Sequence, residues 1–135
     1  MRVETLRTLD YVVLPCSDMV SMRRFYTDCL GLVVKYERAD WIEFSLKNVT
    51  LALRPRSEPF FAAPKYDGQR GAVQVAFCVP YAEVDRWFQK LSGSGVSILD
   101  PPRNQGWGHR TLYFADAEGN VLELYADVEQ LNCDP

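Results

Sequence analysis

The residues best suited to chemistry lie in the second half of this 135-residue chain. Glu123 sits in the run Asn120-Val121-Leu122-Glu123-Leu124-Tyr125, where alternation puts it on one face with Val121 and Tyr125. If that face lines a pocket, its carboxylate can transfer a proton or hold a cationic group. Gln74 shares a face with Ala76 and Cys78, small residues that leave room for a ligand. His109, the only histidine, can serve as acid or base near neutral pH. Trp107 stands between Gly106 and Gly108, which suits a mobile loop that stacks an indole on a planar ligand. Each has a plainer reading: Glu123 as a carboxylate hydrogen-bonded to Gln74 or Tyr11, Gln74 as a structural hydrogen-bonder, His109 as an exposed loop residue, Trp107 as a plug in its own core.

Other chemistries drop out. The four cysteines, Cys16, Cys29, Cys78 and Cys133, form no C-x-x-C pair and match no zinc spacing. Cys16 and Cys78 fall in apolar strands and read as small buried hydrophobes, which sets aside cysteine–histidine nucleophilic chemistry. Neither a G-x-G-x-x-G, nor a Walker loop, nor a G-x-S-x-G elbow is present. A net charge of −3 with scattered basic residues gives no reason to expect a nucleic-acid partner. No apolar run approaches the roughly 18 residues of a membrane span. Arg2, Glu4 and Arg7 are not followed by the apolar core of a signal peptide, so the expected setting is cytoplasmic.

The elements that must position these residues occur twice. A β-branched and aromatic strand is expected over 8–14, ended by Pro15 and Cys16. Ser17 or Asp18 then caps a helix to about Leu30, with Met19, Met22, Phe25, Tyr26 and Cys29 at helical spacing and Gly31 as its stop. Strands follow over 32–36, 41–46 and 49–54. The second unit repeats the order: strand 73–79, a helix after Pro80 carrying Val84, Trp87, Phe88 and Leu91, then strands 96–99, 110–115 and 121–126. Trp87 and Phe88 read as core. The segment 101–108 reads as a loop. The first unit thus spans 8–55, a Pro- and Gly-punctuated linker containing Phe60 and Phe61 spans 56–71, the second unit spans 72–126, and a tail spans 127–135. The opening strands stand 63 residues apart (Tyr11 and Gln74) and the closing strands 72 apart, a spacing that matches Leu51 to Glu123.

A duplicated βαβββ unit of this size resembles the vicinal oxygen chelate superfamily, which includes glyoxalase I, bleomycin-resistance proteins, fosfomycin-resistance enzymes and extradiol dioxygenases. The resemblance rests on Leu9-Asp10-Tyr11-Val12-Val13-Leu14, on Phe25-Tyr26 leading to Leu30-Gly31-Leu32, on Gly106-Trp107-Gly108, on Phe114-Ala115-Asp116 and on Glu118-Gly119-Asn120-Val121-Leu122-Glu123-Leu124. It implies an α+β fold in which two βαβββ units form an open eight-stranded cup with helices outside and a ligand inside. It also implies a homodimer. In metal-dependent members the ligands stand on the first and last strands of each unit, and the matching positions are Tyr11, Leu51, Gln74 and Glu123. Leucine cannot ligate a metal, and a phenol stays protonated at neutral pH. Gln74 and Glu123 fall short of the three protein ligands usual for catalytic zinc.

The expected function is therefore binding of a small aromatic or antibiotic-like molecule without a catalytic metal, with Tyr11, Leu51, Gln74, Trp107, His109, Glu123 and Tyr125 touching it. The alternative is an enzyme of the same family, a lyase, isomerase or dioxygenase, using Glu123 as general base or a degenerate metal site.

Overall fold

A computed structural model describes residues 8–56 and 73–129. The architecture is α+β and consists of two βαβββ units, divided at Gly68/Gln69. From residue 57 on, the expected linker lies outside the described residues, as do residues 130–135 of the expected tail.

In the first unit β1 (Tyr11–Cys16) is followed by α1 (Met19–Arg24) and three more strands, β2 (Val33–Arg38), β3 (Trp41–Ser45) and β4 (Thr50–Pro55). The sheet order is β1-β4-β3-β2, with β1 parallel to β4 and the other pairs antiparallel. Asp18 caps α1, its carboxylate accepting from the Ser21 N–H at 3.1 Å; the Ser21 side chain first, and this N–H second, hold the Asp18 carboxyl below its usual range. The helix then widens into a π-helical turn, Phe25–Cys29, before Gly31 stops it at φ +73°. The wide turn drives Tyr26 into the core, where its ring lies 5.7 Å from Phe44. Leu14, Met22, Ile42, Phe44, Leu51 and Leu53 complete that core. Trp41, Glu43 and Ser45 alternate with Ile42 and Phe44 and so occupy the helix-free face.

Contrary to expectation, β1 runs through Pro15 and Cys16 instead of stopping at Leu14. The reason is that β1 is an edge strand: proline lacks only a donor that such a strand leaves unpaired on its outer side. The same correction applies in the second unit. There β5 (Gln74–Cys78) and α2 (Tyr81–Gly93) precede β6 (Ile98–Asn104), β7 (His109–Ala115) and β8 (Val121–Asp127), in sheet order β5-β8-β7-β6. Much of the expected 101–108 loop is strand. Pro101 and Pro102 are accommodated in edge strand β6, where the register shifts between Asp100 and Arg103.

Val84 and Leu91 of α2 are buried, as are Leu112, Phe114, Leu122, Leu124 and Ala126 of the sheet. Arg110 fixes the helix to this side, donating to Asp85 at 2.8 Å and to Asn104 at 3.1 Å. Trp87 and Phe88 are only half-buried, contrary to their reading as core, and Lys90 Nζ sits 4.7 Å from the centre of the Trp87 ring. Cys78 departs from its reading as a buried hydrophobe as well. It is exposed on the helix-free side of β5 and disulfide-bonded, whereas Cys16 is buried, its thiol donating to the Leu14 carbonyl at 3.3 Å.

The β7–β8 turn is organised by Asp116. Its Oδ1 accepts from the backbone N–H groups of Glu118 (2.9 Å) and Asn120 (3.0 Å), and its Oδ2 accepts from Asn120 Nδ2 (2.8 Å). Asn120 Oδ1 in turn accepts from the Val73 N–H just before β5, at 3.3 Å. Gly119 takes φ +87°, which a side chain would strain. Asp116→Ala leaves two backbone donors and a buried amide short of an acceptor, and a destabilisation of about 2–4 kcal/mol is expected in urea denaturation. Asp116→Asn, which keeps an oxygen for the backbone donors, is expected to lose less than half as much.

Candidate functional site

Strand pairing sorts every candidate onto a face. In the second unit β8 pairs Val121, Glu123, Tyr125 and Asp127 with Ala115, Tyr113, Thr111 and His109 of β7. On its other side β8 pairs Val121, Glu123 and Tyr125 with Gln74, Ala76 and Cys78 of β5. These residues share the helix-free face, because Leu112, Phe114, Leu122 and Leu124 take the core side. Glu123 therefore stands among Tyr113, Ala76, Val121 and Tyr125, with Gln74 one alternation step away on the neighbouring strand.

Tyr113 is the residue that the sequence reading missed. It stands directly opposite Glu123 in the β7–β8 ladder. Burial pushes the Tyr113 phenol above its ordinary range. Glu123 adds to that shift by its charge, and Asp100 adds further, while Arg103 opposes it. Arg103 is paired with Asp100 at 3.1 Å. Beside them Thr111 is fully buried and accepts from Gln105 Nε2 at 2.9 Å. The available signal was cross-strand position: alternation marks Tyr113 as facing the same way as His109, but only the register puts it opposite Glu123.

His109 is not a loop residue. It opens β7, its Nε2 lies 3.2 Å from Asp127 Oδ1, and its ring stacks on Tyr125 with centroids 4.7 Å apart. Trp107, 62% exposed, stands at the tip of the β6–β7 hairpin, with Gly108 at φ +94°. A cavity of about 560 Å³ opens between this hairpin and the end of β8, lined by Asn104, Gln105, Gly106, Gly108, Asp127, Val128 and Glu129.

In the first unit Tyr11 is half-exposed on the helix-free face. It borders a cavity of about 360 Å³ that also has Asp10, Lys35, Asn48 and Thr50 in its wall. Leu51 does not share that face. It is 2% exposed, paired with Val12 and Phe44 on the core side. The residue matching Glu123 is Ala52: Tyr11 aligns with Thr50 as Gln74 aligns with Val121, which makes the closing-strand offset 71 residues and not 72. A slip of one residue reverses which face a strand residue occupies. The Leu51–Glu123 match is thereby corrected, and Leu51 is assigned to the core. Where the second unit has Tyr113, the first has Glu43, whose carboxylate accepts from Trp41 Nε1 at 2.8 Å and lies 4.0 Å from Lys35 Nζ. Lys35 donates to Thr50 Oγ1 at 2.6 Å.

The donors at the family's metal positions are the phenol of Tyr11, the amide of Gln74 and the carboxylate of Glu123. Among the described residues, no three His, Cys, Asp or Glu side chains are grouped to hold a metal ion. This set does not fit a zinc or nickel centre, which draws on imidazole, thiolate and carboxylate. Among the described residues no helix is long and apolar enough to cross a membrane.

Comparison with known proteins adds a sequence and a structural finding. The family model described as Glyoxalase/Bleomycin resistance protein/Dioxygenase superfamily matches residues 8–124. Metallothiol transferase FosB of Staphylococcus saprophyticus is 24% identical over 125 residues, covering 93% of this chain and 80% of that protein. A glyoxalase/bleomycin resistance protein/dioxygenase from Nocardioides superposes with a TM-score of 0.78 at 22% identity, over 96% of this chain and 89% of that one. A glyoxalase-related enzyme from Fulvimarina pelagi gives 0.79 at 21% identity, over 90% and 89%. At such identities the structural likeness speaks for the fold.

The Tyr113 phenol has a stability consequence with a definite sign. Because its folded value is raised, the contribution is fully present below the unfolded phenol value, near pH 10, and is lost as pH rises from there through the folded value. In paired denaturation series, wild type is expected to lose stability above about pH 10 more steeply than Tyr113→Phe. Equal slopes would show that the phenol is not held by its surroundings.

Proposed function

We propose that this chain, which belongs to the glyoxalase/bleomycin resistance protein/dioxygenase superfamily, binds a small organic molecule on the helix-free face of its second unit without a catalytic metal. The observation that carries this reading is the pairing of Glu123 with Tyr113 across β8 and β7: the only carboxylate at a family ligand position stands directly opposite a phenol on the helix-free face. The carboxylate and the phenol oxygen offer acceptors to a ligand's donor groups. Tyr125, His109 and the exposed Trp107 supply aromatic surface on the same unit, which suits a planar or heteroaromatic ligand. Gln74 and Arg103 provide an amide and a cation at the margins. The mechanism is sequestration, with polar groups orienting the molecule and aromatic rings supplying most of the contact area.

A second reading is favoured by the similarity to a metallothiol transferase over most of both chains, together with the retained Glu123. In it the chain is an enzyme of the same superfamily, and Glu123 takes part in the chemistry.

Calorimetric titration of metal-stripped protein with nickel, zinc, manganese and iron(II) separates the two. The expected result is no stoichiometric tight binding; one-to-one binding that Glu123→Gln abolishes would overturn the metal-free reading. A thermal-shift screen of aromatic metabolites and antibiotics is expected to yield a stabilising compound. For that compound, Glu123→Gln is expected to weaken affinity about ten- to a hundredfold, the range for losing a hydrogen bond to a charged group.

A further inference from the structure

We infer that the first unit carries a site of its own for a small oxyanion, a carboxylate or a phosphate group, held between the ammonium groups of Lys35 and Lys47 and the hydroxyl of Thr50. The inference concerns the first unit alone and does not depend on what the second unit binds.

The cavity of about 360 Å³ beside Tyr11 is where these groups meet: Lys35, Lys47, Asn48 and Thr50 all stand in its wall. Lys35 belongs to edge strand β2, and β3 separates it from Thr50 on β4. It is the extra residue of a bulge: Val34 pairs with Phe44 and Tyr36 with Glu43, while Lys35 has no opposite number on β3. Its side chain crosses β3 and donates to Thr50 Oγ1 at 2.6 Å. The start of β4 is itself fixed, because the Thr50 N–H donates to the Asp10 carbonyl at 2.8 Å. Lys47 comes from the turn between β3 and β4 and has no ion-pair partner among the described residues.

The uncommitted donors set the sign of the ligand. Thr50 is 8% exposed, and its oxygen accepts from an ammonium, which has no acceptor capacity. The Thr50 O–H is therefore left as a donor, and no group among the described residues accepts from it. Lys35 has further N–H donors to give as well. Glu43 Oε1 stands 4.0 Å from its Nζ, beyond hydrogen-bond reach, and Glu43 Oε2 accepts from Trp41 Nε1 at 2.8 Å. A buried hydroxyl short of an acceptor is costly, and an oxyanion supplies acceptors only. Asp10, the carboxylate in the wall, accepts from the Thr8 hydroxyl and stands against two ammonium groups, so the wall is positive on balance. The fold itself does not ask for the hydroxyl: in register, the second unit has Val121 where the first has Thr50.

The test uses the full chain and follows its amide resonances by NMR during titration with sodium phosphate and, separately, with sodium acetate. Sodium chloride at equal ionic strength is the control. Saturable shifts of the Asn48 and Thr50 amides with phosphate, acetate or both are expected, and the tighter binder names the group that the site prefers. Thr50→Val, which copies the second unit, and Lys35→Met are each expected to weaken that binding about tenfold, the size of one hydrogen bond to a charged group. Thr50→Ser, which restores the hydroxyl, is expected to bind like wild type, so the two Thr50 variants decide the matter even if Lys35→Met folds poorly. Shifts no larger than those produced by chloride would overturn the proposal. So would saturable binding that Thr50→Val leaves unchanged, the mark of an adventitious ion only.

Discussion

The interaction on which the second unit depends is the hydrogen-bond cluster of Asp116 and Asn120. Asp116 gathers two backbone N–H groups and one side-chain amide of its own turn, while Asn120 reaches back to the backbone just before β5. Both residues are nearly inaccessible to water, so an unmade bond there would be costly. Since β8 is paired on both sides, to β5 in parallel and to β7 in antiparallel fashion, this turn fixes both registers at once. A slip of one residue would send Glu123 into the core and Leu122 or Leu124 onto the helix-free face. The position of the candidate site is thus a consequence of a turn several residues away.

Setting the two units in register shows how one supersecondary design carries two different surfaces. On the core side the matches are close: Ile42 with Leu112, Phe44 with Phe114, Leu51 with Leu122, Leu53 with Leu124. Close packing leaves little freedom there, because a missing or extra methylene in an interior is felt directly. On the helix-free side the matches diverge. Ala52 stands where the second unit has Glu123, and Glu43 where it has Tyr113. The first unit satisfies its carboxylate with an indole and a lysine; the second sets its own opposite a phenol. No core contact depends on these residues, so the two faces can carry different chemistry on the same frame.

Edge strands explain where the pattern in the sequence misleads. Pro15, Pro101 and Pro102 read as breaks, because proline removes a donor that an interior strand needs. In β1 and β6 it is tolerated, since both strands are unpaired on one side. The extension of β6 is what turns an expected loop into a tight hairpin, and the hairpin brings His109 into the ladder opposite Asp127. Similarly, the apolar surroundings of Cys78 suggested burial, yet alternation along β5 puts it with Gln74 and Ala76 on the helix-free face.

The amino-acid sequence by itself determined the duplicated βαβββ order, the helix limits at Asp18 and Gly31, the alternation within each strand, and the sharing of one face by Val121, Glu123 and Tyr125. Those features follow from periods of 2 and 3.6 residues and from local capping, which are properties of short segments. Only the tertiary structure decided which residue of one strand lies beside which residue of the next. That is why Tyr113 emerged as the partner of Glu123, Asp127 as the partner of His109, and Ala52 in place of Leu51 as its counterpart. Cross-strand register is set by turns and by pairing between segments distant in sequence, and no period within a single strand encodes it.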